Sequence, residues 1–344
     1  MSAVEPPITL ARRWRLPPVI TAILFAAVIG AALIGVSGAN PLDAYWQILV
    51  GSLEPDNLPD TLNWATPLVG MTLAAALPLR SGQINLGGDG QLVIGGLVAA
   101  VVAHQAPVPG PLAAILALVA TAGAGGLYAA LAAFAEIAFA IPMLISSLLL
   151  SYPAVGVVSY LARFPLRDVT TGLPQTAMIP AGARLMTIAG PFNVGAALIA
   201  ALAILIVFVD RRTVAGFELR MRGLNARFAG YAGVDLARQT VLVMFASGAL
   251  AGLVGAIVVL GSQFRFIDAA LTSPNYTWSG LMAALLADGE PVGAICAGLF
   301  FAALQTGGFA MQRETTTPRV LTLALQAIVI LFLAVRGGLH RRAR

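Results

Sequence analysis

GFELRMRGLNARFAGYAGVDLARQTVLVMFASGALAGLVG, Gly216–Gly255, decides how this chain is read. The first part is cationic and short of apolar runs, and it lies between two long hydrophobic segments. The second part belongs to Val241–Leu260, which is apolar enough to cross a bilayer. A basic, partly helical loop joined to a membrane span predicts a surface that docks a soluble partner. The remaining chain then reads as a membrane pathway driven from that loop.

Composition supports the same picture. Of 344 residues, 59% are hydrophobic and 10% charged, where a soluble protein carries about a quarter charged residues. Apolar runs recur between polar breaks, which predicts an all-α polytopic membrane protein with one membrane domain. All 20 basic residues are arginine. A phosphate-binding loop ending in Gly-Lys-Ser/Thr and a Schiff-base lysine are therefore excluded. Cys296 is the single cysteine, and His104 and His340 lie far apart, so no catalytic triad or metal cluster is expected. The net charge of +5 reads as arginine collecting in cytoplasmic loops rather than as a nucleic-acid surface.

Ten spans are expected: Val19–Gly35, Thr61–Leu79, Gln91–Ala103, Leu112–Phe134, Ile141–Leu161, Val194–Val209, Val241–Leu260, Ser279–Ala287, Val292–Phe309 and Val320–Val335. The third and eighth are short. A tail over residues 1–18 and a basic tail over 337–344 flank a membrane domain at 19–336, whose cytoplasmic loop covers 210–238. With both termini inside, fourteen arginines fall on the loop's side and six opposite, as the positive-inside rule asks. The acidic stretch 38–60 suits the outside, with an interfacial helix at Pro41–Leu53 and Tyr45 and Trp46 at the headgroups. Residues 163–190 and 261–278 are polar, irregular and also external. Spans one to five and six to ten would have opposite orientation, a possible inverted 5+5 repeat. In that arrangement the breaks at Gly87–Gly90 and Asp288–Pro291 would be loosely equivalent.

Between spans two and three, RSGQINLGGDGQ (80–91) interrupts the apolar character. Non-helical backbone at membrane depth survives only where protein or a water-filled cavity satisfies it. The segment is either a broken helix lining a pathway or an ordinary glycine-rich turn. Asn85, Asp89, Gln91, Ser147 and Asp288 are the candidate pathway residues, Asp89 foremost as a carboxylate at membrane depth. Trp64, Tyr276 and Trp278 could stack a ring or anchor at the interface. Ser146, Ser147 and Ser151 read as interhelical glue or as a wet face, and Gly123, Gly125 and Gly126 as a smooth packing face.

Four segments carry a family resemblance: SGQINLGGDGQLVIGG (81–96), LRMRGLNARFAGYAGVD (219–235), SGALAGLVGA (247–256) and MAALLADGEPVG (282–293). In order and spacing the chain resembles permease subunits of bacterial ABC importers of the branched-chain amino acid, simple sugar and nucleoside class, most closely the longer nucleoside-type permease. The resemblance implies a type II-like importer permease, multi-pass in the inner membrane, that moves a nucleoside or simple sugar. It implies as partners a separate ATPase that uses ATP and magnesium, an extracytoplasmic substrate-binding protein, and a second permease that is a different chain or another copy. This chain itself would bind no cofactor or metal, hold no catalytic residue and contact membrane lipid but no nucleic acid. The segment Leu219–Gly233 would be the coupling helix that inserts into the ATPase, through Arg220, Arg222, Gly223, Asn225, Arg227, Phe228, Tyr231 and Gly233. The rival reading is an ion-coupled secondary transporter of a small polar solute, which would need no coupling loop.

Overall fold

A computed structural model describes residues 18–36, 38–189 and 192–315, with isolated positions between 321 and 328. Most of the expected tenth span, residues 1–17 and the basic tail lie outside the described residues. Helices α1 (Pro18–Val36), α2 (Pro41–Leu53), α3 (Leu58–Arg80), α4 (Gly88–Gln105), α5 (Gly110–Phe139) and α6 (Met143–Arg163) make the first half. A small hairpin, β1 (Thr187–Ala189) and β2 (Phe192–Asn193), leads into α7 (Val194–Arg212). Two short helices follow, α8 (Val214–Leu224) and α9 (Ala226–Tyr231), then α10 (Leu236–Val258), α11 (Tyr276–Leu286) and α12 (Pro291–Glu314).

Each of the first nine expected spans thus has a helix among the described residues. Six of them (α3, α5, α6, α7, α10 and α12) are long and apolar enough to cross a membrane, and the bent pair α1–α2 could make a seventh. The third span is longer than expected, because α4 begins at Gly88 and runs to Gln105. The eighth is α11, 11 residues long, too short to cross alone.

Helix boundaries follow local chemistry. Asn193, Thr213, Asn225, Asp235 and Glu290 each accept the backbone N–H that opens α7, α8, α9, α10 and α12, which satisfies one of the orphan donors at each start. α5 stops where Ala140 turns left-handed at φ 54° ahead of Pro142. α10 runs on through a π-turn, Val259–Gln263, and ends at Phe264.

Helices α3 and α10 form the interior. In each, 67% of the apolar window is buried, against 28% for α6 and 22% for α7. α4 and α5 lie directly on α10 because small residues face each other. A Cβ at Gly255 would lie 2.1 Å from the Leu92 carbonyl oxygen, so α4 and α10 meet backbone to backbone. Of the expected glycine face on α5, Gly125 abuts the Gly248 carbonyl and Gly126 lies under the Phe245 ring, while Gly123 faces open space. α2 spans the expected residues and packs on α12, Ile48 against Gly307. Trp46 is exposed, but Tyr45 turns inward and donates to the Ala27 carbonyl at 2.7 Å.

The two irregular segments expected outside interlock at one end of the bundle. Thr176 N–H donates to Phe266 O at 2.9 Å and Ile179 N–H to Phe264 O at 2.8 Å. Arg163 pairs with Asp268 at 2.6 Å. The basic loop lies at the opposite end.

Candidate functional site

The site begins at the cationic loop. The expected single coupling helix is two helices, α8 and α9, broken at Asn225, whose extended backbone and side-chain oxygen cap the second. Arg220 and Arg222 point inward. Asp210, at the end of α7 and 5% exposed, takes Arg80 through two bonds (2.9 and 3.2 Å) and Arg220 at 3.4 Å. One carboxylate therefore ties the ends of α3 and α7 to α8. Arg222 donates to the Leu236 carbonyl at 3.0 Å and to Thr240 Oγ1 at 2.7 Å, which ties α8 to α10. Gly223 backs onto the Arg80 carbonyl with no room for a side chain. Arg211 and Glu290 add a bond at 3.0 Å from α7 to the start of α12. Burial disfavours the charge of Glu290, but the Gly293 N–H and the Arg211 guanidinium outweigh it and hold the carboxyl below its usual range.

The outward face of the loop is different in kind. Arg227 is exposed and makes no ion pair among the described residues. Phe228 is 60% and Tyr231 92% exposed, and Gly233 closes the turn at φ 92°. Leu224, 89% exposed, joins them and was not singled out in the sequence. Its place beside a helix-breaking asparagine was the signal. The eight expected docking residues thus divide: Arg220, Arg222, Gly223 and Asn225 build and fasten the loop, while Arg227, Phe228 and Tyr231 are presented, with Gly233 closing the turn.

From Arg222 a polar run leads into the bundle. Thr240 Oγ1 also accepts from Gln83 Nε2 at 3.2 Å, and Gln83 Nε2 reaches Glu136 Oε2 on α5 at 3.3 Å. Residues 83–87 form neither helix nor strand and are largely buried, so the segment is not an ordinary surface turn. Serines satisfy its backbone. Leu86 N–H donates to Ser147 Oγ at 3.0 Å and Gly90 N–H to Ser151 Oγ at 2.8 Å, which supports the glue reading for the α6 serines. Asn85 bonds Gln91 at 3.0 Å and Ser247 Oγ at 2.9 Å, and Ser247 donates to the Ala74 carbonyl at 2.6 Å. Ser247, the lone hydroxyl within Val241–Leu260, completes a cluster joining α3, α4 and α10.

The structure therefore brings Asn85, Gln91 and Ser147 together, with Asp89 next to them in the first turn of α4. Asp89 lies beside Thr277 and Trp278, and its Oδ1 and the Thr277 Oγ1 are buried without a hydrogen bond of good geometry. A cavity of about 10 Å³ adjoins Asn85, Ser247 and Thr277, room for a single water. Asp288 is elsewhere. It is exposed, and its neighbour Gly289 packs on Leu79 and Arg80 at the arginine-rich end. The break at Gly87–Gly90 is thus interior and that at Asp288–Pro291 peripheral, so the two are not equivalent in surroundings. Among the described residues no group of histidine, cysteine, aspartate and glutamate could hold a metal ion.

Residues 57–334 match the family "Branched-chain amino acid transport system / permease component". The glucose ABC transporter permease of Haloferax volcanii is 34% identical over 329 residues, covering 92% of this chain and 86% of the relative. The guanosine ABC transporter permease of Bacillus subtilis is 28% identical, covering 91% of each. A nucleoside ABC transporter permease of Lactococcus lactis is 29% identical, covering 92% of this chain and 89% of the relative. The chain accordingly belongs to this permease family, as the membrane-spanning subunit of an ABC transporter.

Proposed function

We propose that this chain forms the translocation pathway of an importer for a nucleoside or simple sugar, driven by a separate ATPase seated on α8 and α9. The observation that carries this reading is the division of labour in the loop. Arg220 and Arg222 fasten it to α3, α7 and α10, while Leu224, Phe228 and Tyr231 stand in solvent. Exposed aromatics backed by a rigid, ion-paired base are the composition of an interface anchor. A push on α8 and α9 then passes through Asp210 and Thr240 into the transmembrane helices instead of dissipating in the loop.

The relatives named for glucose, guanosine and nucleosides support the solute class. ATP and magnesium belong to the ATPase, and this subunit binds no cofactor and catalyses no reaction. Its other partners are a second permease subunit and an extracytoplasmic binding protein, which would meet the interlocked segments 164–189 and 264–275. The chain lies in the inner membrane with both termini cytoplasmic, the orientation that puts the arginine-rich end inside. Co-purification of the ATPase tests the proposal: wild type retains it, and Phe228→Glu with Tyr231→Glu loses it while the permease stays monodisperse. Retention of the ATPase by that variant, or uptake that collapses with an ionophore at constant ATP, would refute it.

A further inference from the structure

A second cavity, of about 170 Å³, opens at the end of the bundle away from α8 and α9, where α3, α10, α11 and the start of α7 converge. Trp64 and Tyr276 are in contact along it, ring centroids 5.6 Å apart, and Phe309 backs Trp64 at the same distance. Asn63, Thr66, Asn193 and Ser262 supply the polar part of the lining. Several of these groups have capacity to spare. Among the described residues the Asn63 amide, the Trp64 indole N–H and the Tyr276 hydroxyl make no hydrogen bond, whereas Asn193 is held by Gly195 and Gly261 and orients its remaining N–H. No carboxylate or guanidinium lines the cavity. The larger cavity at the arginine-rich end, about 510 Å³, contrasts with it, carrying Glu218, Asp235 and Arg238.

We infer that this cavity is a recognition site for the transported solute, and that it selects a neutral, hydroxylated ring over a zwitterion. The inference rests on the proposed import function and adds to it a place in this subunit, the cavity beside Trp64 and Tyr276, where the solute is recognised. An aromatic surface flanked by amide and hydroxyl groups fits a sugar or nucleoside ring, whose faces are apolar and whose edges carry hydroxyls. A free amino acid brings an ammonium and a carboxylate, and each would lose water here without a counter-charge. The shared ring chemistry covers hexoses and nucleosides alike. It excludes from this subunit the amino acids for which the family is described.

The test is uptake of tritiated uridine, D-glucose and L-leucine by the complete transporter in proteoliposomes, each with its binding protein present in excess. Wild type should carry uridine or glucose and not leucine. Trp64→Ala should lower kcat/KM for that solute at least tenfold, and Trp64→Phe should restore it to within threefold. Asn63→Leu, at an exposed position where folding is safe, should raise KM severalfold. ATPase association and size-exclusion profile should stay at wild-type values in all three variants. If wild type carries uridine or glucose and both Trp64→Ala and Asn63→Leu stay within twofold, the cavity is not a recognition site although the import reading stands. If wild type carries leucine and neither ring solute, the import reading and the selectivity both fall.

Discussion

Replacing Asp210 with asparagine should release the loop from the bundle. The carboxylate is buried and holds Arg80 bidentately, with Arg220 as a third contact. Removing one partner of a buried pair costs about 3–5 kcal/mol, because a desolvated charge is left behind. The Arg80 and Arg220 side chains keep 23% and 32% of their exposure, so water screens part of that, and about 2–3 kcal/mol is the fair expectation. At about 2 °C per kcal/mol for a large domain the melting midpoint falls by ~4–6 °C. Thermal denaturation of purified variants in nanodiscs, followed by monomer loss on size exclusion, would measure it. The cycle with Arg80→Gln is the sharper assay. Removing both charges should recover about 1–3 kcal/mol relative to additive singles. A single-variant shift under about 1 °C, or strict additivity, would refute the view that Asp210 clamps the loop.

Three further outcomes follow from the packing and the polar run. Thr240→Val removes the acceptor shared by Arg222 and Gln83; ATPase association should persist while solute moved per ATP falls at least threefold, read by parallel uptake and phosphate-release assays. Gly255→Ala places a Cβ 2.1 Å from the Leu92 oxygen and should cost about 1–3 kcal/mol, whereas Gly123→Ala, with nothing within 4 Å, should be neutral or gain about 0.5–1 kcal/mol in the same melting assay. Glu290 is depressed below its ordinary value of 4.5 by Gly293 and Arg211 against the pull of burial. Its contribution is therefore present above that value and lost as pH falls below it, so the midpoint difference between wild type and Glu290→Gln should shrink between pH 5 and pH 3.

Much of this architecture was legible because bilayer physics leaves a simple trace. Runs of apolar residues interrupted by arginine or proline marked the helices of the first nine expected spans, and α2 matched its expected residues because Asn40, Pro41 and Asp43 form a readable helix start. The site was harder. Arginines in one basic loop look alike in sequence, but partners on other helices decide their roles: Arg220 meets Asp210, and Arg222 meets Thr240. Arg227 makes no ion pair among the described residues and stays exposed. Asp288 looked like Asp89 because both sit in a glycine-rich break, yet one is a surface turn and the other adjoins a buried cluster. No local pattern distinguishes them, since burial there is set by α3 and α11 packing across the turn. Ser247 and Gln83 were invisible for the same reason, their partners lying 162 and 157 residues away.

Cysteine cross-linking to the ATPase would show whether α8 and α9 form its seat, in a Cys296→Ser background that removes the exposed native thiol. Single cysteines at Leu224, Phe228 and Tyr231 would be compared with one at Tyr152, which is equally open at 69% exposure but lies on α6. Nucleotide-sensitive cross-links are expected from the α8–α9 positions and none from Tyr152. Cross-links absent from all three loop positions, or equally strong from Tyr152, would contradict that seat.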